Sequence, residues 1–215
     1  MTEAEWLACI DPEQMVEFLT EGTGSDRQLR LYGCACCRQV WDLLTEACFC
    51  DAVDVAERFA DGRVSKKELA VAKKVSGASL ERNGQAGVTG PRYCALGSAW
   101  SCTRNPPTAA MYPLWVFTDE TQRNWEMRLL RDIFNPFRPA SIDTACRTPA
   151  VTDLATAAYE ERALPSGELD PARLAVLSDA LEEAGCDDAA ILDHLRGPGP
   201  HVRGCWVVDL VLGKH

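Results

Sequence analysis

The sequence predicts an all-α protein, a compact multi-helix domain with one long irregular excursion at about residues 83–117. Three observations predict this class. Apolar residues recur at spacings of three and four along most of the chain, which is the period of an amphipathic helix. Helix-capping patterns open many of these segments. Strand-like alternation of apolar and polar residues does not compete with them, so no sheet is expected.

Capping patterns place the helices of the N-terminal part. Thr2 to Glu5 is a capping box that opens a short first helix, and Asp11 with Pro12 opens a second one that ends near residue 21. Asp26 opens the longest segment, which carries a cluster of cysteines. A further apolar pattern covers 52–60, and a second capping box, Ser65 to Glu68, opens a helix that reaches about residue 80.

Between about 83 and 117 the helical pattern fails, because glycine, proline, serine and asparagine recur. The stretch is either an ordered excursion that its aromatic residues hold in place or a flexible insertion. Aromatic residues such as Tyr93 and Trp100 favour the ordered alternative, since disordered segments contain few of them.

The helical pattern resumes after the excursion. The expected helices cover about 118–134, 149–163, 171–184 and 189–196, and a last buried helix covers 201–212 and stops at Gly213. A chain of 215 residues suffices for one core, so we expect a single domain over 1–215. The prolines of 135–139 suggest two halves, 1–134 and 140–215, that share this core.

Charge and composition exclude several classes of function. The formal net charge of −10 disfavours nucleic acid and anionic membranes as partners. One group of charges indicates a mixed, solvated helix face: Arg123, Arg128 and Arg131 with Asp119, Glu120, Glu126 and Asp132. The chain has no apolar run of about 20 residues and no signal-peptide pattern at its start, so we expect a cytoplasmic location. The odd number of cysteines, 11, then predicts reduced thiols.

Two pairs of residues have the spacing of zinc ligands. Cys34 and Cys37 lie three residues apart, and His201 and Cys205 lie four apart, so each pair can face one side of a helix. Zinc takes four such nitrogen and sulfur ligands in a tetrahedron. These residues are therefore the candidate metal ligands. The alternative is that both pairs are core residues, with His201 hydrogen-bonded to a backbone carbonyl.

A cysteine nucleophile would need a histidine base beside it and an acidic residue behind the histidine. His201, Cys205 and Asp209 would share one face of a helix, but Cys205 lies between the other two, so Asp209 cannot reach the imidazole. A base from elsewhere, for example His194, would be required. Sequence motifs of P-loop enzymes, dinucleotide-binding enzymes, zinc proteases and serine hydrolases are missing.

Several blocks of the chain resemble a bacterial protein family that occurs in many paralogous copies and has no established activity. The blocks are MTEAEWL (1–7), CACCR (34–38), NPFRP (135–139), LEEAGC (181–186) and HVRGCWVVDLVLGK (201–214). The resemblance implies kinship along most of the chain and assigns no site.

Taken together, the sequence predicts a non-enzymatic helical protein that binds another protein, an adaptor, with a zinc site at Cys34, Cys37, His201 and Cys205. The alternative is a metal-dependent or cysteine-based enzyme centred on His201 and Cys205.

Overall fold

The computed structural model describes residues 1–111, 119–137 and 141–214. Over these ranges the chain forms twelve α-helices and no strand, apart from one isolated antiparallel bridge between Glu168 and Val202. The predicted all-α class is confirmed. Within the same ranges, no helix combines the length and the apolar character needed to cross a bilayer.

The chain divides into two compact units, Met1–Met127 and Arg128–His215. The first unit contains α1 (Glu3–Ala8), α2 (Pro12–Phe18), α3 (Asp26–Gln39), α4 (Ala47–Ala60), α5 (Lys66–Gln85), α6 (Gly90–Ser101) and α7 (Pro106–Met111). The boundary falls within α8 (Glu120–Ile133). The second unit continues with α9 (Pro149–Glu160), α10 (Pro171–Glu183), α11 (Ala189–Arg196) and α12 (Trp206–Leu212).

The helix starts predicted from the two capping boxes are confirmed. Ser65 Oγ accepts the backbone N–H of Glu68, and the Glu68 carboxylate accepts the backbone N–H of Ser65. Thr2 and Glu5 form the same reciprocal pair at α1. Each box satisfies two of the four backbone donors that a helix start leaves free, which is why it can be predicted from four residues.

The core of the first unit surrounds α3. Its residues 29–38 are all buried, so the helix is enclosed on every side, although its sequence pattern indicates one apolar stripe. Arg38 is among them, and its guanidinium donates two hydrogen bonds to the Glu57 carboxylate, at 2.6 and 2.7 Å. This bidentate pair lets a charged side chain lie in the core.

Residues 83–111 are ordered, as the aromatic residues favoured, but they are mostly helical and not irregular as predicted. Helix α5 continues to Gln85, and α6 and α7 follow it. A Cβ at Gly77 would lie 2.9 Å from Trp100 Nε1, and one at Gly84 would lie 3.1 Å from Tyr93 Oη. Glycine at these two positions of α5 therefore lets α6 pack closely on it. Residues 112–117 of the predicted excursion lie outside the described ranges.

In the second unit α9 to α12 enclose a core that contains Tyr159, Leu174, Leu177, Val208 and Val211, all fully buried. The C-terminal segment is thus buried, as predicted. Its predicted helix is wrong at the first five residues, because α12 begins only at Trp206. The backbone carbonyl oxygen of His201 instead accepts a hydrogen bond from the backbone N–H of Leu169, at 2.8 Å. The predicted stop at Gly213 is confirmed, with φ +65°.

Candidate metal centre

Four ionisable side chains of the second unit converge on one buried point. They are Asp132 in the last turn of α8, His194 in α11, His201 in the segment before α12, and Cys205 at the N-cap of α12. One ligand atom from each lies within 4.8 Å of the others. Among the described residues, this is the one group of three or more histidine, cysteine and acidic side chains arranged to hold a metal ion.

Asp132 is the centre of the group. Asp132 is 2% exposed, and its apolar neighbours Leu129 and Ile133 are fully buried. Oδ1 of Asp132 lies 2.7 Å from His201 Nδ1 and 3.1 Å from His194 Nε2, while Oδ2 accepts the backbone N–H of Val202 at 2.9 Å. Burial raises the pKa of this carboxyl, but the hydrogen bonds and charges of the two histidines outweigh it and hold the pKa below its usual value.

The turn before His201 brings its ring back toward α8. Arg128, one turn before Asp132 in α8, donates to the carbonyl oxygens of Pro198 and Gly199, the former at 2.9 Å. Gly199 has φ +63°, and a Cβ there would lie 2.9 Å from the backbone nitrogen of His201. Glycine is therefore required at this position for the turn to close on the histidine.

The contacts of His201 define its protonation. Nε2 lies 3.3 Å from the carbonyl oxygen of Gly197, and Nδ1 faces the Asp132 carboxylate. Both partners can only accept, so this arrangement favours the imidazolium form, in which each ring nitrogen donates. Burial lowers the pKa of His201, but the hydrogen bond and the charge of Asp132 outweigh it, and the pKa ends above its usual value.

His194 is held by its neighbour Trp206. The indole Nε1–H of Trp206 donates to Nδ1 of His194 at 3.2 Å. Because an indole nitrogen can only donate, Nδ1 is unprotonated and the ring proton lies on Nε2. Nε2 is the nitrogen that faces Asp132 and lies 3.3 Å from Cys205 Sγ. In this state His194 donates a proton toward the cluster.

Cys205 is a buried neutral thiol. Its side chain is fully buried, and burial raises its pKa well above the ordinary value. The charge of Asp132 raises the pKa further, while the backbone amides of Val207 and Val208 act in the opposite direction. A neutral thiol is a poor nucleophile, but a metal ion converts a thiol into a thiolate ligand.

The ligand set and the distances fit a tetrahedral zinc ion. Two imidazoles, one thiolate and one carboxylate are all ligands that zinc accepts, with bonds of about 2.0–2.3 Å. Such bonds place ligand atoms roughly 3.3–3.7 Å apart, and the three contacts between side chains here measure 2.7, 3.1 and 3.3 Å. Since the four ligand atoms lie within 4.8 Å of one another, movements of about 1 Å, outward for the short contacts and inward for the longer separations, would bring them to these distances. The charges of Zn²⁺, the carboxylate and the thiolate sum to zero, which suits a buried site.

The structure brings together half of the residues that the sequence proposed as ligands. His201 and Cys205 belong to the cluster, but not as one helical pair, since His201 precedes α12. Cys34 and Cys37 lie in the first unit, where both are buried and Cys37 Sγ is 3.7 Å from Cys102 Sγ. Their combination with His201 and Cys205 in one site stays a prediction.

Neither Asp132 nor His194 was among the metal ligands predicted from the sequence. The prediction that Asp132 lies on a mixed, solvated helix face is wrong, and so is the same prediction for Glu126, which is 1% exposed. The spacing of charged residues in α8 does not indicate the burial of Asp132 and Glu126. The one indication in the sequence was the apolar stripe beside Asp132, which is fully buried in the structure and consists of Leu129, Leu130 and Ile133.

These features define an all-α protein with a buried aspartate, histidine and cysteine cluster of the composition found at transition-metal sites. No protein-family model matches the chain, and it matches no curated protein and no solved structure. The resemblance to the paralogous bacterial family stays a prediction.

Proposed function

We propose that the second unit binds one Zn²⁺ through Asp132, His194, His201 and Cys205, and that this metal has a structural role in a non-enzymatic helical protein. The observation that carries the proposal is the convergence of four ligand atoms from three separate segments within 4.8 Å. Binding would release the Nδ1 proton of His201 and the thiol proton of Cys205, because zinc takes neutral imidazole and thiolate. The Nε2 proton of His194 would move to Nδ1, which gives up the hydrogen bond from Trp206.

The closed character of the cluster supports a structural role. A catalytic zinc site keeps one coordination position for water or substrate, whereas a structural site has four protein ligands. Three of the four residues are nearly or fully buried, and His194 has a side chain that is 17% exposed. The ligands also connect the end of α8 with α11 and the start of α12, so a bound ion would cross-link the unit.

A cysteine-based enzyme is the second candidate, and one observation favours it. Cys205 Sγ lies 3.3 Å from His194 Nε2, which in turn lies 3.1 Å from Asp132. Two features argue against it. Nε2 already carries the ring proton, so it cannot accept one from the thiol, and the pKa of Cys205 is raised where a nucleophile needs it lowered.

The remaining part of the proposal is that the protein works by binding another protein. Its support is the net charge of −10, which favours a partner with a basic surface. Such a complex should weaken as salt is added, because the attraction is screened over about 10 Å at 0.1 M. Purification from the native cell at two salt concentrations would test this.

Metal analysis tests the zinc proposal. Protein purified without chelators should contain one zinc per chain, and chelation should lower the thermal midpoint by about 5 °C or more. Cys205→Ser and His201→Ala should lose the metal. Cys186→Ser is the matched control, since Cys186 is buried in the same core but outside the cluster, and it should keep the metal. Absence of zinc, or full zinc content in Cys205→Ser, would refute the proposal.

A double variant separates this ligand set from the one proposed from sequence. If Cys34 and Cys37 complete the site, Cys34→Ser/Cys37→Ser should lose the zinc as well. We expect that variant to keep one zinc per chain, because the second unit supplies four ligands by itself.

A further inference from the structure

An apolar groove runs along the hairpin of α4 and α5 in the first unit. It encloses about 710 Å³. Its apolar lining includes Val55 of α4 and Val71, Ala72 and Val75 of α5. Val71 and Val75 are 55% and 50% exposed, and they lie one helical turn apart on the same face of α5. The hairpin therefore presents a continuous apolar stripe to its surroundings.

The two ends of the groove carry opposite charges. Asp51 and Asp54 line one end, and Arg58, Lys67 and Glu68 line the end next to the turn between the helices, where the Glu68 carboxylate caps α5 by accepting the backbone N–H of Ser65. Asp51 and Arg58 lie seven residues apart on α4, which is about 10 Å along the helix. Val55 lies near the middle of this interval. The groove thus has an acidic end with two carboxylates and an end that is basic in net charge, with two cations and one carboxylate, at similar distances from an apolar centre.

We propose that this groove is the interface of a homodimer, in which the α4–α5 hairpins of two copies pack into an antiparallel four-helix bundle. A two-fold axis through the groove near Val55 and Val71 places the acidic end of each copy against the basic end of the other. A two-fold interface must be self-complementary, and this charge arrangement meets that requirement. Since Asp54 also pairs with Arg38 at 2.6 Å, Asp51 is the acid assigned to Arg58 of the other copy.

A second copy fits the groove better than an unrelated helix for a specific reason. An unrelated partner requires no relation between the two ends of the groove. In a two-fold dimer, each end of the groove faces the opposite end in the other copy. Opposite charges on either side of an apolar centre therefore attract at both ends. Packing would also cover Val71 and Val75, whose exposure costs free energy in a monomer.

Sedimentation of the full-length protein over a range of concentrations tests the dimer. We expect the protein to be dimeric at roughly 10 μM. Val71→Glu should raise the dissociation constant of the dimer by at least about tenfold, because it places one carboxylate from each copy close to the two-fold axis. Val176→Glu is the matched control, since Val176 is 51% exposed but lies on α10. It should leave the dissociation constant unchanged.

A charge exchange tests the orientation of the two copies. Asp51→Arg and Arg58→Asp should each weaken the dimer, and the double variant should restore it, since each exchanged charge again faces its opposite. A monomer at roughly 100 μM would overturn the proposal. So would a dimer that Val71→Glu does not weaken, or single and double exchanges with equal effects. The outcome does not depend on zinc, because the variants that change the groove, at Asp51, Arg58 and Val71, lie outside the second unit.

Discussion

Nδ1 of His201 lies 2.7 Å from Oδ1 of Asp132, a contact that joins residues 69 positions apart in the chain. Both side chains are almost entirely buried, with 4% and 2% exposed. The pair fixes the segment before α12 against the last turn of α8. In the imidazolium form that these contacts favour, the charge of His201 is compensated by the buried Asp132 carboxylate when no metal is bound.

Asp132→Asn should destabilise the metal-free protein by about 3 kcal/mol, because it leaves the buried His201 without its counter-charge. Urea unfolding in the presence of a chelator measures this. The matched control is Asp179→Asn, which breaks an ion pair with Arg196 in the same unit where the aspartate side chain is 67% exposed. That control should cost less than about 1 kcal/mol. Equal losses for the two variants would contradict the assigned role of Asp132.

Trp206→Phe should increase the affinity for zinc, by about fivefold or more. The indole N–H forces the proton of His194 onto Nε2, the nitrogen that faces the cluster, whereas a zinc-bound neutral imidazole needs that proton on Nδ1. Removing the N–H donor frees Nδ1 to carry it. Competition with a chromophoric chelator measures the dissociation constant.

The double variant His194→Ala/Trp206→Phe is the control for this prediction. It should bind zinc no more tightly than His194→Ala, because the effect of Trp206 acts through the His194 ring. A gain in affinity that persists without the imidazole would show that Trp206 acts in another way.

Local rules account for the part of the fold that could be predicted. The capping boxes at Thr2 and Ser65 satisfy backbone donors within four residues, so their outcome depends on little else. The stop at Gly213 has the same local origin, since a left-handed residue ends the helix. Helix α6 was missed because its own sequence contains glycine, proline and serine residues that weaken the helical pattern. These residues are Gly90, Pro91, Gly97 and Ser98.

The site was predictable only in part, because two of its members depend on tertiary structure. Cys205 and His201 were selected for their spacing on a single helix, yet His201 reaches the cluster from a turn that Arg128 and Gly199 hold. Asp132 lies among arginines in the sequence, which indicates solvent, and its burial follows from packing that no local pattern reports. His201 and Cys205, which the structure brings into one cluster, were thus selected on an incorrect local geometry.

Cys205 should react with iodoacetamide on the order of 100-fold more slowly than Cys9 and Cys94 in the native, metal-free protein. Cys205 is fully buried and the pKa of its thiol is raised, while Cys9 and Cys94 are partly exposed. Alkylation followed by mass spectrometry of peptides measures all three in one sample. Labelling of Cys205 as fast as the other two would instead support the cysteine-based enzyme.

The buried carboxyl of Glu126 should make the free energy of unfolding of the first unit decrease as the pH rises. This carboxyl accepts a hydrogen bond from Tyr32 Oη at 2.5 Å, and burial raises its pKa from 4.5 to about 7, against the hydrogen bond of Tyr32 and the charge of Arg123. Between these two pH values the folded state holds a proton that the unfolded state has lost. Stability should therefore decrease from pH 4.5 through pH 7, by about 3 kcal/mol in all.

Urea unfolding of the wild type and Glu126→Gln between pH 5 and pH 8 measures this contribution. The amide does not titrate, so the wild-type stability should fall relative to that of the variant as the pH rises, and the variant should be the more stable protein at pH 8. Glu120→Gln, an exposed change in the same helix, should follow the wild-type curve. Parallel curves for the wild type and Glu126→Gln would mean that Glu126 is ionised in the folded protein throughout this range, and that the Tyr32 hydroxyl and Arg123 suffice to stabilise its charge.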